Sequence, residues 1–325
     1  MKAAVVNTLG PAPVYADFAD PEPGNGTVVA TVEAAALKNI DRFLIGGTHY
    51  GSPGLRPPLV AGQDGVARLD DGRLVYVAGG VPPFGMMAER TLIDPSRAYE
   101  VPEGLDPVLA AAVPNPGVSA YWSLQWAGRI QPGSRVLIIG ATGVAGSVAT
   151  ILAKSLFGAG RVVAAGRNTE RLDWLRTVGA DAVIELGADD VTARVAAEHD
   201  AQPFDLIIDM LWGEPVEQVL AALVKKTLQA DYHVTRFVQV GASAGPTINL
   251  PAGTLRGAGI EMCGLGPSSI PAESLATVAT EMLPTLFAMA ADGRLPINAQ
   301  PHPLSDVEKL WTAREPSGTR VVLVP

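Results

Sequence analysis

The 325-residue chain holds a single cysteine, Cys263, and only four histidines, His49, His199, His233 and His302. One thiol cannot close an intrachain disulfide or build a cysteine-rich metal site, and the histidines are too scattered for a ligand motif. The expectation is a reducing, cytoplasmic setting and no metal. Basic residues are also scarce, with 24 Lys and Arg against 33 Asp and Glu and a net charge of −9. No basic run is present to grip a phosphate backbone or an anionic bilayer, which argues against nucleic acid and membrane as partners. Long hydrophobic runs are lacking too. Ala3 to Val6 gives only four apolar residues before Asn7 and the Gly10-Pro11 break, too few for a signal-peptide core. Val136 to Ala153 and Phe237 to Leu255 are free of charge, but the first contains three glycines and the second Pro246 and Pro251. Neither is expected to span a bilayer, which takes about 20 predominantly apolar residues.

What is present is a globular composition, 48% hydrophobic, with 35 Gly and 27 Pro scattered without a repeat. The length allows about two domains. From about residue 134 short β-branched runs alternate with amphipathic segments. Strands are expected at Val136 to Ile139, Arg161 to Ala165, Ala182 to Leu186, Phe204 to Asp209, Phe237 to Val240 and Ile260 to Gly264. Helical spacing marks Val144 to Leu156, Thr169 to Val178 and Val216 to Leu228. Such βα alternation implies an α/β fold with a doubly wound parallel sheet. The first 115 residues instead carry short extended candidates, Ala3 to Val6, Val28 to Val32 and Arg73 to Val77, between Pro/Gly turns. Strand-like runs recur at Pro296 to Gln300 and Arg320 to Val324, so the tail is expected to return to this β-rich part. The boundaries expected are 1–116 with 286–325 for the β-rich domain and 117–285 for the parallel sheet.

Gly140-Ala141-Thr142-Gly143-Val144-Ala145-Gly146 lies between an expected strand and an expected helix, the context of a dinucleotide-binding turn. Ala141 takes the tight turn, Gly143 lets backbone approach a pyrophosphate, and Gly146 lets the helix pack on the strand, while the first N–H groups of that helix face the anion. At the end of the second strand, where an acid would read a ribose 2′-hydroxyl, stands Gly166, followed by Arg167, Asn168 and, one turn on, Arg171. Two guanidiniums and no carboxylate suit a 2′-phosphate, so the cofactor expected is NADP(H).

Further motifs carry a resemblance. Pro57 to Gly65, Gly85-Met86-Met87-Ala88-Glu89, Gly117-Val118-Ser119-Ala120-Tyr121, the glycine turn with Leu152-Ala153-Lys154, and Gly179-Ala180-Asp181 are similar to the motif series of the medium-chain dehydrogenase/reductase superfamily. The likeness covers essentially the whole chain and points to the zinc-free, quinone oxidoreductase-like branch. Zinc enzymes of that superfamily place Cys where this chain has Lys38, and His-Glu where it has Gln63-Asp64. The resemblance implies a Rossmann sheet plus a GroES-like domain, hydride transfer from NADPH to a small-molecule electrophile (a quinone, enal or enone), and a homodimer paired through the strand Ile260 to Gly264. It places a pocket between the domains, near Lys38, Asn39, Asp41, His49 and Tyr50, with Lys38, Asp41 and Tyr50 as candidate catalytic residues. Tyr50 either bonds the substrate carbonyl or only packs; Lys38 either stabilises an oxyanion or pairs with Asp41. Ser119, Met210, Leu211, Gly241, Ala242 and Ser243 join the turn as expected cofactor contacts. Cys263 is expected to be buried and inert. Other readings are a non-catalytic NADPH-binding protein and a zinc-free alcohol or carbonyl dehydrogenase; a short-chain dehydrogenase is disfavoured by the 130 residues ahead of the turn.

Overall fold

A computed structural model describes residues 1–225 and 232–325. The chain divides into two compact units, Met1–Asn115 with Leu283–Pro325, and Pro116–Met282.

In the first unit, β1 (Lys2–Val6), β2 (Val14–Asp17) and the short β4 (Leu59–Val60) form a three-stranded antiparallel sheet, while β3 (Val28–Ala36) crosses into a larger one with β5 (Gly65–Arg68), β6 (Leu74–Val77), β7 (Arg90–Ile93) and β8 (Ala98–Glu100). Two helices interrupt the β pattern, α1 (Asn39–Ile45) and α2 (Pro107–Ala112). Asp106 starts α2 by accepting the N–H groups of Val108 and Leu109, ahead of a proline that the first turn tolerates.

The second unit opens on α3 (Pro114–Trp122) and alternates β9 (Arg135–Ile139), α4 (Val144–Ser155), β10 (Arg161–Gly166), α5 (Thr169–Val178), β11 (Ala182–Glu185), α6 (Val191–Ala201), β12 (Leu206–Asp209), α7 (Gly213–Ala222), β13 (Thr235–Gln239), α8 (Ala252–Ala258) and β14 (Ile260–Gly264). All strands are parallel, in the order β11-β10-β9-β12-β13-β14. Val136 to Ile139 are wholly buried, as strands covered on both faces require. Because the order reverses between β9 and β12, their carboxyl ends lie side by side, a crevice at which open α/β sheets bind ligands. Two differences from expectation stand out. Helix α7 ends at Ala222, short of Leu228, and residues 226–228 of the expected helix lie outside the described residues. Helix α6 had no counterpart in the expected elements, although Val191, Val195 and His199 recur every four residues and all face the core.

The chain then returns to the first unit. Met282, Leu283, Leu286, Phe287 and Met289 are buried within the stretch Ala272–Ala291, which is long and apolar enough to cross a membrane by length and composition. The tail forms β15 (Asn298–Pro303) and β16 (Thr319–Val324), which pair in parallel, and β16 joins β3 antiparallel.

Candidate functional site

The glycine turn joins β9 to α4. Gly140 stands at φ +82°, where L side chains are strained, and a Cβ at Gly146 would lie 2.3 Å from the Gly140 carbonyl oxygen. These two glycines are therefore required by the turn and by helix–strand packing. Gly143 differs: a Cβ there would meet nothing closer than 3.5 Å. The protein itself has room for a side chain at 143, and its lack leaves the backbone open to a ligand. Gly143 caps α4 without a side-chain acceptor, so the first-turn N–H groups of a helix starting at Val144 are those a phosphate would satisfy.

Gly166 closes β10 against this turn. A Cβ at 166 would lie 2.4 Å from Thr142 Cγ2 and 2.9 Å from its Oγ1. The methyl and hydroxyl of Thr142 thus fill the place in which an acidic side chain would begin. Arg167, next along, is exposed, and no ion pair holds it among the described residues. Asn168 faces back into the protein as the cap of α5, accepting the Arg171 N–H at 2.9 Å. The Arg171 guanidinium is committed locally, donating to Ser147 Oγ at 3.1 Å and stacking 3.9 Å over the Trp174 ring. Burial holds Arg171 below the usual guanidinium range. Ser147 in turn donates to the Ala141 carbonyl, so Arg171 braces the glycine turn through a serine. Ser147 and Trp174 were not among the expected site residues; the three-residue spacing of Arg171 and Trp174 on one helix was the available signal.

Asp209 ends β12 beside the turn. Its wholly buried carboxylate accepts the N–H groups of Leu211 at 2.8 Å and Trp212 at 3.1 Å. Burial nevertheless pushes its carboxyl up to about 6, against the pull of those two bonds. The bonds hold a tight loop in which Trp212 takes φ +55°, a conformation a bulky residue keeps only when its surroundings impose it. Leu211 sits against Gly140, where an added Cβ would be 3.0 Å from its side chain, and Ser243 Oγ donates to the Met210 carbonyl at 3.1 Å. A Cβ at Gly241 would lie 2.6 Å from the same carbonyl. The fold thus gathers the glycine turn, Met210, Leu211, Gly241 and Ser243 along one crest. Ala242 is exposed beside them, and Ser119 is half-buried on α3.

The other candidates lie in the β-rich unit. Lys38 is 1% exposed, and its ammonium lies 2.7 Å from Asp64, 3.1 Å from Asp41 and 2.8 Å from the Ala36 carbonyl. Burial works against this cation, but the two carboxylates outweigh it and raise its pKa above the ordinary lysine value. Asp41 accepts the backbone N–H groups of Lys38 and Gln63, both at 2.9 Å, and Tyr76 donates to Asp64 at 3.0 Å. Tyr76 is held well above the usual phenol range by burial and by Asp64. Arg320, almost wholly buried, donates to the Leu37 carbonyl. The positions that hold Cys and Glu in zinc enzymes are thus joined by an ion pair, with the Lys38 ammonium between carboxylates. Asp64, Tyr76 and Arg320 were not among the candidates; they meet Lys38 only through sheet pairing far along the chain.

Tyr50 stands apart from that cluster. It is 69% exposed on the loop after α1, its ring 4.0 Å from that of His49 and tilted 33° to it. His49 Nδ1 accepts the Gly51 N–H at 3.0 Å, which leaves the proton of a neutral ring on Nε2. Cys263 is half-buried rather than buried, because β14 is the outer strand of its sheet.

A parallel sheet with a glycine turn at its switch point, together with a separate β-rich unit, is a two-unit dinucleotide-binding architecture. Residues 144–276 match the family model described as "Zinc-binding dehydrogenase". The chain is similar over its full length to the quinone oxidoreductase of Thermus thermophilus, solved also in complex with NADPH, at 27% identity, full coverage of both chains and a TM-score of 0.81. It is 27% identical over 96% of its length to a mycocerosic acid synthase-like polyketide synthase of Mycobacterium tuberculosis, of which it spans 15%. It is 32% identical over 55% of its length to trans-enoyl reductase pgmF of Aspergillus terreus, of which the match spans 47%. The chain therefore covers less than half of each of these two curated relatives. These similarities accord with the resemblance of the sequence motifs to the quinone oxidoreductase-like branch of the medium-chain dehydrogenase/reductase superfamily.

Proposed function

We propose that this chain is an NADPH-dependent oxidoreductase that reduces a quinone or an α,β-unsaturated carbonyl without a metal. The observation that carries the reading is the Thr142–Gly166 contact with exposed Arg167 beside it: the ribose position has no room for an acid and a guanidinium within reach. The glycine turn would hold the pyrophosphate on the first N–H groups of α4, and Arg167 the 2′-phosphate. Arg171 serves by bracing the turn. Met210, Leu211, Gly241, Ala242, Ser243 and Ser119 would border the cofactor along the crest. When bound, NADPH supplies a hydride.

Quinones and enones suit a site in which Lys38 is enclosed by carboxylates, because their reduced anions delocalise charge and need only a hydrogen-bond donor. Tyr50 presents its hydroxyl on an exposed loop as that donor, its ring steadied by His49. Lys38 and Asp41 act as positioning residues, holding the Gln63 backbone. The names of the relatives, a quinone oxidoreductase solved with NADPH and a trans-enoyl reductase, support the same two substrate classes. A homodimer through the open edge of β14 and a cytoplasmic location complete the reading.

Following absorbance loss of NADPH and NADH against benzoquinones, 2-enals and cyclic enones tests it. NADPH oxidation at least tenfold faster than NADH oxidation is expected with one of these classes. NADPH binding without turnover on any of them would instead make the chain a cofactor-binding protein, and oxidation of simple alcohols in place of these substrates would make it a zinc-free alcohol dehydrogenase.

A further inference from the structure

The amino-terminal ends of the parallel strands carry a second concentration of charge. Arg135 opens β9 and Arg161 opens β10, and the two residues are direct partners in the parallel register. Arg194 comes from α6, and together the three line a groove of about 520 Å³. Ala197 and Ala201 on the facing side of α6 keep the groove open, since neither reaches across it.

The charges in this groove do not balance. Among the described residues, Glu198 is the one carboxylate lining it, held by Arg161 through two bonds of 2.9 and 2.8 Å and by Arg135 at 3.4 Å. Arg135 also donates to the Glu198 carbonyl at 2.9 Å, and its side chain is one-tenth exposed. Its Nε is fully buried with no hydrogen-bond partner. Arg194 donates to the Val183 carbonyl at 3.1 Å, and no ion pair holds it among the described residues. The neighbouring carboxylates are engaged elsewhere: Asp181 bonds Lys154 at 2.9 Å, and Asp205 accepts the Arg135 backbone N–H at 2.7 Å. Three guanidiniums therefore face one carboxylate, in a chain whose net charge is −9. Arg194, which lines the groove, is held by no carboxylate among the described residues, and guanidinium forks match tetrahedral oxyanions.

We propose that this groove is an anion site that takes the phosphate or pyrophosphate group of a small phosphorylated metabolite, separate from the glycine turn. The site is independent of the oxidoreductase reading, because every residue in it belongs to β9, β10, β11 or α6 and none to the crest. Its volume suits a small ligand, within the roughly 300–1,000 Å³ usual for such sites.

The test is calorimetric titration of inorganic pyrophosphate, at low salt, into the full-length protein with its glycine turn filled by saturating NADPH, using wild type, Arg194→Gln, Arg194→Lys and, as a control for the 2′-phosphate position, Arg167→Asp. Arg194→Gln is expected to weaken pyrophosphate binding at least tenfold, Arg194→Lys to retain part of it, and Arg167→Asp to leave this binding event in place. NADPH titration of Arg194→Gln, expected to match wild type, verifies that the unit is folded. Unchanged pyrophosphate affinity in Arg194→Gln, or no binding by the wild type, overturns the proposal. Tungstate soaked into crystals gives a readout free of any variant: an anomalous peak within hydrogen-bond distance of Arg135 and Arg194 supports the site, and peaks confined to the glycine turn refute it.

Discussion

The crest of the parallel sheet and the Lys38 cluster of the β-rich unit solve opposite problems. At the crest, side chains are withdrawn: Gly140, Gly146, Gly166 and Gly241 let neighbouring backbone and side chains pack close, Gly143 leaves its backbone open to a ligand, and Thr142 fills the gap at 166. Around Lys38, full charges are driven inside and satisfied by one another within about 3 Å. The contrast shows that buried charge alone does not mark a site. A buried cation between two carboxylates has its bonds already made, whereas an open helix start and an exposed Arg167 have theirs to make.

Removing the cation tests the closed side of this contrast and has the largest expected effect. Lys38→Met leaves Asp41 and Asp64 buried without a counter-charge and should cost about 3–5 kcal/mol of stability in denaturant unfolding. A loss below about 1 kcal/mol would mean that the cluster admits water and is not closed.

The next effect is a pH dependence at the crest. Asp209 has its carboxyl pushed from 3.8 up to about 6 by burial. Between these values the native chain binds a proton more readily than the unfolded chain, so the contribution of Asp209 favours folding at low pH and is lost as pH rises through 4 to 6. The stability difference between wild type and Asp209→Asn should therefore change by up to about 3 kcal/mol across that window. His199 slopes the other way. Burial, with His233 nearby, lowers it from 6.5 to about 4, so its contribution is present above about 6.5 and lost as pH falls towards 4. Parallel unfolding series of Asp209→Asn and His199→Gln should separate the two slopes, and a flat difference for either variant rejects its assignment.

Gly166→Asp should come third. The new side chain meets Thr142 at 2.4 Å, and overpacking of this kind costs roughly 1–3 kcal/mol. Gly166→Asp combined with Thr142→Gly should recover stability and shift cofactor preference from NADPH towards NADH in fluorescence titrations. If preference does not move, Thr142 and Gly166 do not set it.

The smallest change in stability belongs to Arg167→Asp. This exposed residue should leave the melting temperature unchanged while weakening NADPH binding at least tenfold more than NADH binding. Equal losses for both cofactors would assign the 2′-phosphate to another residue.

Much of the crest was legible in the sequence because its parts are local. The 140–146 turn, the strand end at Gly166 and the helix Thr169–Val178 depend on spacing over a few residues, and α5 has the expected boundaries. The role of Arg171 was not legible, since its commitment to Ser147 depends on a helix 24 positions away. The Lys38 cluster lay further from reach. Its pairing with Asp41 is a three-residue spacing, but Asp64 and Tyr76 join it only when β5 and β6 pair, and Arg320 only when the tail lays β16 against β3.

By itself, then, the sequence determined the alternation of parallel strands and helices, the place of the glycine turn and the missing acid at its ribose position. These follow from periodicity and from the backbone freedom of glycine, which are properties of neighbouring residues. Tertiary structure alone decided that Thr142 occupies the space at 166, that Arg171 braces rather than projects, and that three arginines converge on one groove. Those outcomes depend on which strand lies beside which, and strand order arises from the burial of apolar faces over the whole unit.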